Sequence, residues 1–255
     1  MKKWTRLLTA LMAALLICGM FAACGKGSEV AEIKKSGKLV VLTSSDFPPF
    51  EYQGEEGGTI GVDMEICQAI ADELGVELEV VDMDFADIPA AVAAGKGHIA
   101  AAGMTVTEER RQIMDFTESY LPAAQYLLVP AGSGIKTAAD LEGKVVGVQV
   151  GTTGDHFATQ QGNAKSIERY ATLTEASAAL MSGKLDAVVV DELPARAIAA
   201  QNADKLEVAG EKLTEEEYAL GIAKDSDLLK KANKVIAELK EEGKIDAFVS
   251  NHSMK

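Results

Sequence analysis

The chain has 255 residues, of which 47% are hydrophobic and 25% are charged, a composition typical of globular proteins. Its formal net charge is −14, and such an acidic surface argues against nucleic acid partners and against attraction to anionic lipid by charge. The length is enough for one large domain or two small lobes.

Residues 1–23 have the pattern of a secretory signal peptide, because a basic start precedes the apolar run Leu7–Ile17, which is too short to span a bilayer. Phe21-Ala22-Ala23-Cys24 resembles a bacterial lipobox, although Phe21 stands where an aliphatic residue is usual. We expect lipidation of Cys24, with residues 24–36 as the lipidated cysteine and a flexible tether, and attachment to the membrane through its acyl chains. The alternative is ordinary signal cleavage that leaves Cys24 free.

Three cysteines give no disulfide framework. Cys18 leaves with the signal peptide and Cys24 is expected to carry lipid. Cys67 then remains alone within a helical pattern, which predicts a small buried hydrophobic residue.

Gly37–Thr43 is rich in β-branched residues and predicts a buried strand. The prolines of the following segment, Ser44–Glu51, predict an extended loop outside the carboxyl end of that strand, where α/β sheets bind ligands. For Phe47 and Phe50, packing in the core is the alternative to ligand contact. We expect it for Phe50 and expect Phe47 to contact a ligand.

The next elements alternate between helix and strand. An apolar residue at every fourth position predicts a helix that ends at Gly75, and strict alternation over Val76–Val80 predicts a strand. Asp87 is the predicted N-cap of a second helix, which Gly95-Lys96 ends. A strand over Ile99–Ala102 follows.

Gly103–Phe116 predicts a polar loop and then a helix capped by Thr107. Two glutamates suit the positive end of that helix, but Arg110 and Arg111 oppose it. Either the arginines are solvated or paired with the glutamates, or one guanidinium joins free backbone N–H groups to hold an anion such as a carboxylate.

A second, similar unit begins at Tyr126. The strand Gly143–Val150, the turn Gly151–Gly154 and a helix N-terminus predict an anion site built from backbone N–H groups. The turn lacks the spaced Gly-Lys-Ser/Thr of a nucleotide loop. A buried strand over Asp186–Val190 then ends at Asp191, which is either an N-cap or a ligand contact. An exposed crossing over Leu213–Tyr218, a strand and a last long helix closed by Gly243 complete the chain.

Gly103-Met104-Thr-x-Thr-x-x-Arg110, with Asp115-Phe116 after it, resembles the signature of the polar amino-acid-binding proteins of bacterial ABC importers. The resemblance extends over nearly the whole mature chain. It implies an α/β fold of two β/α lobes joined by a two-segment hinge (periplasmic binding protein-like type II), with the ligand in the interlobe cleft. We expect residues 37–124 in lobe 1, 125–213 in lobe 2, and 214–255 in the second crossing and the return to lobe 1.

The resemblance also implies the roles of individual residues. Arg110 would clamp the α-carboxylate of an amino acid, and Thr105 and Thr153 would bind the same carboxylate. Asp191, with backbone carbonyls near Ala102, would bind the α-ammonium. Phe47, and Phe85 unless it is a core residue, would cover the ligand. The predicted ligand-binding residues are Arg110, Asp191, Thr105, Thr153, Phe47, Ala102, Gly103, Phe85, Gln149, Thr152 and Ser44.

Ser44 stands where basic-amino-acid binders of that family commonly hold an aspartate. A serine cannot neutralise a buried charge, and we expect the prolines to turn Asp46 and Glu51 outward. The sequence therefore predicts a polar uncharged or small amino acid, with Gln149 offering its amide. A cationic ligand is the alternative, with Asp46, Asp155 or Glu192 as its partner.

By the resemblance, the protein captures a free amino acid outside the cytoplasmic membrane and passes it to an ABC permease. Since the chain has no ATP motif, ATPase subunits supply the energy. We expect a monomer with no cofactor and no metal, because its three histidines lack metal-ligand spacing. We expect His98 on the surface and His252 in a frayed tail. His156 lies near the turn Gly151–Gly154, and a position in the cleft is the alternative to a position outside it.

Two other classes of function stay open. One is an enzyme of the same fold, such as a dehydratase of cyclic amino or keto acids, with Glu192 or Asp155 as its general acid. The other is a sensor module, which would normally be fused to membrane helices.

Overall fold

A computed structural model describes residues 27–253. The predicted signal peptide and Cys24 lie outside these residues. Within the described part of the chain, no helix is long and apolar enough to cross a membrane.

The first part of the chain forms β/α units around a five-stranded sheet. Its helices are α1 (Glu29–Ser36), α2 (Val62–Leu74), α3 (Ile88–Ala93) and α4 (Glu108–Ile113). Its strands are β1 (Lys38–Thr43), β2 (Asp46–Phe47), β3 (Glu51–Gln53), β4 (Thr59–Ile60), β5 (Glu77–Asp82), β6 (Ile99–Ala100) and β7 (Met114–Phe116). The sheet order is β5-β1-β6-β15-β7, in which β15 (Gly221–Ala223) returns from near the end of the chain.

The middle of the chain builds a second five-stranded sheet of the same design, with order β11-β10-β12-β9-β13. Its strands are β9 (Gln125–Pro130), β10 (Val145–Gln149), β11 (Ser166–Tyr170), β12 (Ala187–Asp191) and β13 (Leu206–Ala209). Its helices are α5 (Thr153–Gln161), α6 (Leu173–Met181) and α7 (Glu192–Gln201). β1 pairs in parallel with β5 and β6, and β10 pairs in parallel with β11 and β12, so in each sheet three carboxyl ends meet at one edge.

Two extended segments cross between the sheets and pair with each other. They are β8 (Leu121–Ala123) and β14 (Glu216–Tyr218), in antiparallel register with Leu121 opposite Tyr218. The prediction of an exposed crossing is wrong at Tyr218, which is buried because its ring packs edge-on against Phe50 with centroids 4.9 Å apart.

The chain ends in α8 (Leu228–Glu241) and α9 (Lys244–Ser253), both packed on α2 of the first lobe. The expected fraying of His252 is wrong. His252 lies in α9, where its Nδ1 atom is 2.9 Å from the hydroxyl of Tyr52. His98, expected on the surface, is half-buried: its Nδ1 accepts from the backbone N–H of Val40 at 2.8 Å, and burial lowers its pKa.

Most local expectations are confirmed. Gly75 closes α2 in a left-handed conformation (φ +71°), and Thr107 accepts from Arg110 N–H at the start of α4. Cys67 is a free, buried cysteine and Phe50 is fully buried in the core. Asp87 stands at the N-cap of α3 but its side chain makes no capping bond, because a 3₁₀ turn over Phe85–Asp87 leads directly into the helix.

Candidate functional site

A cavity lies between the two lobes, where the carboxyl ends of their strands meet. Every residue predicted to bind a ligand lines it: Ser44, Phe47, Phe85, Ala102, Gly103, Thr105, Arg110, Gln149, Thr152, Thr153 and Asp191. Asp46 and Glu51 line it as well. The structure thus brings together in one place side chains that are up to 147 positions apart in the sequence, between Ser44 and Asp191.

Arg110 is the cation of this cavity and is only 8% exposed. Its Nη1 donates to the carbonyl of Thr105 at 2.6 Å, and its Nη2 donates across the cleft to the carbonyl of Gly151 at 3.0 Å. Its guanidinium lies 5.2 Å from the ring centroid of Phe85. Burial lowers the pKa of Arg110, but a guanidinium stays charged, so the remaining N–H donors can bind an anion.

Arg111, by contrast, is exposed and lies over the ring of Phe116 at 5.8 Å. The two adjacent arginines are therefore separated by the helix turn: one faces the cavity and the other faces solvent. Of the two readings left open by the sequence, the solvated one fits Arg111 and the anion-binding one fits Arg110.

Asp191 ends β12 and faces Arg110 from the second lobe. Its Oδ1 accepts from the hydroxyl of Tyr218 at 2.6 Å, and it makes no capping bond to α7. Burial raises the pKa of Asp191 to about 7, against the lowering effect of the Tyr218 hydroxyl. A cationic partner would stabilise the ionised form of this carboxyl group and lower its pKa.

Glu51 was expected to turn outward, and that expectation is wrong. After the two prolines, β3 pairs back on β2 with Phe47 opposite Glu51, which turns Glu51 inward. It is fully buried, and neither carboxylate oxygen has a hydrogen-bond partner among the described residues. Burial first, and then the nearby Asp63, raise its pKa well above the ordinary value.

Asp46 also lies in the cavity wall rather than outside it, but its oxygens are occupied. Oδ1 accepts from the hydroxyl of Ser44 at 3.0 Å. Oδ2 accepts from the backbone N–H of Leu173 at 2.5 Å, at the N-terminus of α6 in the other lobe. A carboxylate at a helix N-terminus is electrostatically favourable, so Asp46 links the two lobes.

Gly103 shows why the floor of the cavity needs glycine. Its φ is +50°, and a Cβ there would come within 2.7 Å of the Phe47 ring. The Gly103 N–H donates to Asp63 at 3.0 Å, and the hydroxyl of Tyr120 donates to the same carboxylate at 2.6 Å. Burial raises the pKa of Asp63 to about 6.

Thr152 and Gln149 brace the other wall. The Thr152 hydroxyl caps α5 by accepting from Asp155 N–H at 3.1 Å, and it donates to the Gln149 carbonyl at 2.8 Å. The Gln149 amide donates to the carbonyl of Ala171 at 3.2 Å. These bonds hold the start of α5 at the cavity, where its first-turn N–H groups form an anion-binding end.

Glu216 is a functional candidate that the sequence reasoning missed. It takes hydrogen bonds from the hydroxyls of Thr105 at 2.9 Å, Thr153 at 2.8 Å and Thr214 at 2.7 Å. The available signal was the two-residue period of β14, which puts Glu216 on the same face as the buried Tyr218.

The acids considered for other functions lie elsewhere. Asp155 pairs with Arg169 at 2.8 Å and Glu192 pairs with Arg196 at 2.9 Å, and neither lines the cavity. His156 is bonded to Gln160 rather than to a cavity residue. Among residues 27–253, no cluster of three or more His, Cys, Asp or Glu side chains is arranged to hold a metal.

Comparisons with known proteins agree with this geometry. The chain is 32% identical over 255 residues to the arginine-binding extracellular protein ArtP of Bacillus subtilis, covering 96% of each protein. It is 31% identical over 248 residues to the L-cystine-binding protein TcyJ of Escherichia coli K12, covering 94% of this chain and 92% of TcyJ.

A solved structure extends the comparison to the fold. The amino acid ABC transporter substrate-binding protein AbpA of Streptococcus pneumoniae, bound to L-arginine, superposes with a TM-score of 0.83 at 35% identity, covering 88% of this chain and 98% of AbpA. These are binding proteins rather than enzymes. The profile of the bacterial extracellular solute-binding proteins, family 3, matches residues 39–254, and the chain belongs to that family.

Proposed function

We propose that this protein binds a free cationic amino acid, arginine first among them, in the interlobe cavity and delivers it to the permease of an ABC importer. The observation that carries the choice of side chain is Glu51, a fully buried carboxyl group on the cavity wall whose two oxygens have no hydrogen-bond partner among residues 27–253. Burial raises the pKa of Glu51 and so favours its neutral form without ligand, whereas a guanidinium supplies the charge and the paired donors that stabilise its ionised form.

The charges around the cavity support the same choice. Of the described residues that line it, Asp46, Glu51 and Asp191 are acids and Arg110 alone is a cation. A zwitterionic amino acid with a neutral side chain needs one cation for its carboxylate and one acid for its ammonium, which Arg110 and Asp191 provide. The remaining acids favour a ligand that brings a second positive charge.

The relatives support amino acids as the ligand class but differ in side chain. ArtP is named for arginine and AbpA was solved with L-arginine, whereas TcyJ is named for L-cystine. The prediction of a polar uncharged or small ligand rested on Ser44 and on an outward Glu51, and its second premise is wrong. The inward carboxylate of Glu51 is the reason we place arginine ahead of neutral amino acids.

Closure of the two lobes belongs to this proposal. Arg110 lies on the first lobe and Asp191 on the second, so an amino acid held by both bridges the cleft. The paired crossings β8 and β14 are the natural hinge between residues 37–124 and 125–213. Small-angle scattering should show compaction on saturation with arginine, and Asp191→Asn should reduce it. An unchanged radius in the wild type would remove the hinge from the proposal.

A thermal-shift screen of the ligand-free protein against the twenty amino acids tests the ligand class. A ligand that binds only the folded state raises the melting temperature by mass action. Arginine should give the largest shift, followed by lysine. Strong shifts with glutamine or serine and none with arginine would overturn the cationic assignment, and no shift with any amino acid would overturn the function.

The mature protein is proposed to work as a lipid-anchored monomer outside the cytoplasmic membrane, with the permease and ATPase subunits as partners. Its support is the lipobox-like Phe21-Ala22-Ala23-Cys24, together with membership of an extracellular family. Mass spectrometry of membrane-extracted protein should find an acylated Cys24 at the N-terminus. An unmodified Cys24 in the soluble fraction would contradict this.

A further inference from the structure

We propose that Glu216, on the second crossing, is a positioning residue that turns the hydroxyls of Thr105 and Thr153 into acceptors for the ligand's α-ammonium. The inference rests on the proposed binding of an amino acid. It assigns Thr105 and Thr153 a different role from the carboxylate contacts expected from the sequence.

The first step is the position of Glu216. Its Oε2 accepts from Thr105 of the first lobe at 2.9 Å and from Thr153 of the second lobe at 2.8 Å, while its Oε1 accepts from Thr214 at 2.7 Å. The hub formed by Glu216, Thr105 and Thr153 therefore joins both lobes and the hinge. Both lobe threonines line the ligand cavity.

The second step is a count of hydrogens. A hydroxyl has one hydrogen to donate and two lone pairs, and a carboxylate only accepts. Thr105 and Thr153 each give their one hydrogen to Glu216. Thr153 also accepts from the side-chain amide of Gln125 at 3.0 Å. Toward the cavity both hydroxyls can offer only lone pairs, which repel a carboxylate and attract an ammonium.

The third step is the neighbouring residue on the same strand face. Tyr218, two positions after Glu216, donates its hydroxyl to Oδ1 of Asp191 at 2.6 Å. The backbone of β14 also bridges to Thr105. One strand thus orients both the threonine acceptors and the aspartate that would surround the ammonium. The carboxylate is left to the free N–H groups of Arg110 and the first turn of α5.

The test compares variants that separate the acceptor from the charge. Glu216→Leu removes the acceptor, whereas Glu216→Gln removes the charge but keeps an amide oxygen for both hydroxyls, with its NH₂ facing the oxygen of Thr214. Glu217→Leu, at the exposed neighbouring position, is the matched control. Affinity for L-arginine is measured by calorimetry, and the melting temperature of each ligand-free variant reports folding.

We expect Glu216→Leu to weaken arginine binding about tenfold, corresponding to one lost oriented hydrogen bond. Glu216→Gln should stay within about threefold and Glu217→Leu should match the wild type. In a Thr105→Val/Thr153→Val background, Glu216→Leu should have almost no further effect, because it acts through those hydroxyls. Glu216→Ala replaces the leucine variant if that variant does not fold.

Three results would overturn the inference. Tighter binding in Glu216→Leu would show that Glu216 competes with the ligand carboxylate for the hydroxyls. Equal losses in Glu216→Gln and Glu216→Leu would show that charge alone matters. A loss that persists in the double-valine background would show a general structural role. Failure of the wild type to bind any amino acid would instead overturn the proposed function, and this inference with it.

Discussion

Two sets of residues that line the cavity differ in how their charges are balanced. Arg110 and Asp191, from opposite lobes, supply a cation and an acid that match the two fixed charges of any amino acid. Ser44, Asp46 and Glu51 supply two acids and no cation among the described lining residues. We propose that the first set, called the shared end, recognises what all amino acids have in common, and that the second set, called the selecting end, selects the side chain.

The two acids of the selecting end differ in turn. Asp46 has its oxygens bonded to Ser44 and to the N-terminus of α6, whereas Glu51 has both oxygens without a partner among the described residues. A ligand cation stabilises a carboxylate that is already hydrogen-bonded only slightly, but it stabilises a buried carboxylate without hydrogen bonds strongly. The comparison predicts that Glu51, rather than Asp46, sets specificity.

The largest effect should come from Arg110→Ala. A ligand carboxylate would then be buried without its partner, which costs roughly 3–5 kcal/mol and lowers affinity roughly 150-fold to several-thousand-fold. Arg111→Ala is the control, because that side chain lies over Phe116 in solvent, and it should change affinity little. Equal losses at both positions by calorimetry would refute the carboxylate clamp.

Acidic pH should weaken binding through the shared end of the cavity. Asp191 has a pKa of about 7 without ligand, because of burial, and it must lose its proton to hold an ammonium. Affinity for L-glutamine, whose side chain does not require Glu51 to lose its proton, should therefore fall as pH drops from 8 to 5 through 7, approaching about tenfold per unit. Asp191→Asn should bind more weakly with a shallower profile. A flat profile in the wild type would contradict this assignment.

The same raised pKa has the opposite consequence for the ligand-free fold. Because folding raises the pKa of Asp191 from 3.8 to about 7, its contribution to stability is full below pH 4 and is lost as pH rises through 7. At pH 7.5, urea titrations of the ligand-free proteins should give a lower free energy of unfolding for the wild type than for Asp191→Asn. Saturating arginine should remove that difference.

A smaller effect is expected from Asp46→Asn. The variant keeps the hydrogen-bonding shape but loses the charge at the N-terminus of α6, worth about 0.3–1 kcal/mol, or roughly a two- to fivefold change in affinity. It should shift the open–closed balance seen by scattering more than it shifts the preference among amino acids. A collapse of arginine affinity in Asp46→Asn would move the side-chain partner from Glu51 to Asp46.

The shared end was predictable from the sequence because its residues sit in local patterns. Thr107 caps the helix that carries Arg110, and a buried strand ends at Asp191. The predicted start of that helix and the predicted end of that strand therefore indicated where each side chain lies. The family resemblance then supplied their roles. The repeated strand and helix patterns predicted two similar β/α units, and the resemblance implied the two-lobe fold.

The selecting end and the hub at Glu216 were not predictable, because each depends on long-range geometry. Glu51 faces inward only because β3 folds back on β2 after the two prolines. Glu216 is joined to Thr105 across 111 positions and to Thr153 across 63. The two-residue period of β14 places Glu216 on the face of the buried Tyr218, but nothing in the local sequence around Leu213–Tyr218 predicts the two threonines that Glu216 contacts.

The affinity ratio between L-arginine and L-glutamine, measured by calorimetry in the wild type and in Glu51→Gln, tests the central claim most directly. Removing one partner of a buried charge pair costs about 2 kcal/mol or more, so arginine should lose roughly 30-fold or more while glutamine changes by less than about threefold. Glu55→Gln, exposed in the loop after β3, should leave both affinities unchanged. Equal losses for arginine and glutamine, or unchanged arginine binding in Glu51→Gln, would contradict the account.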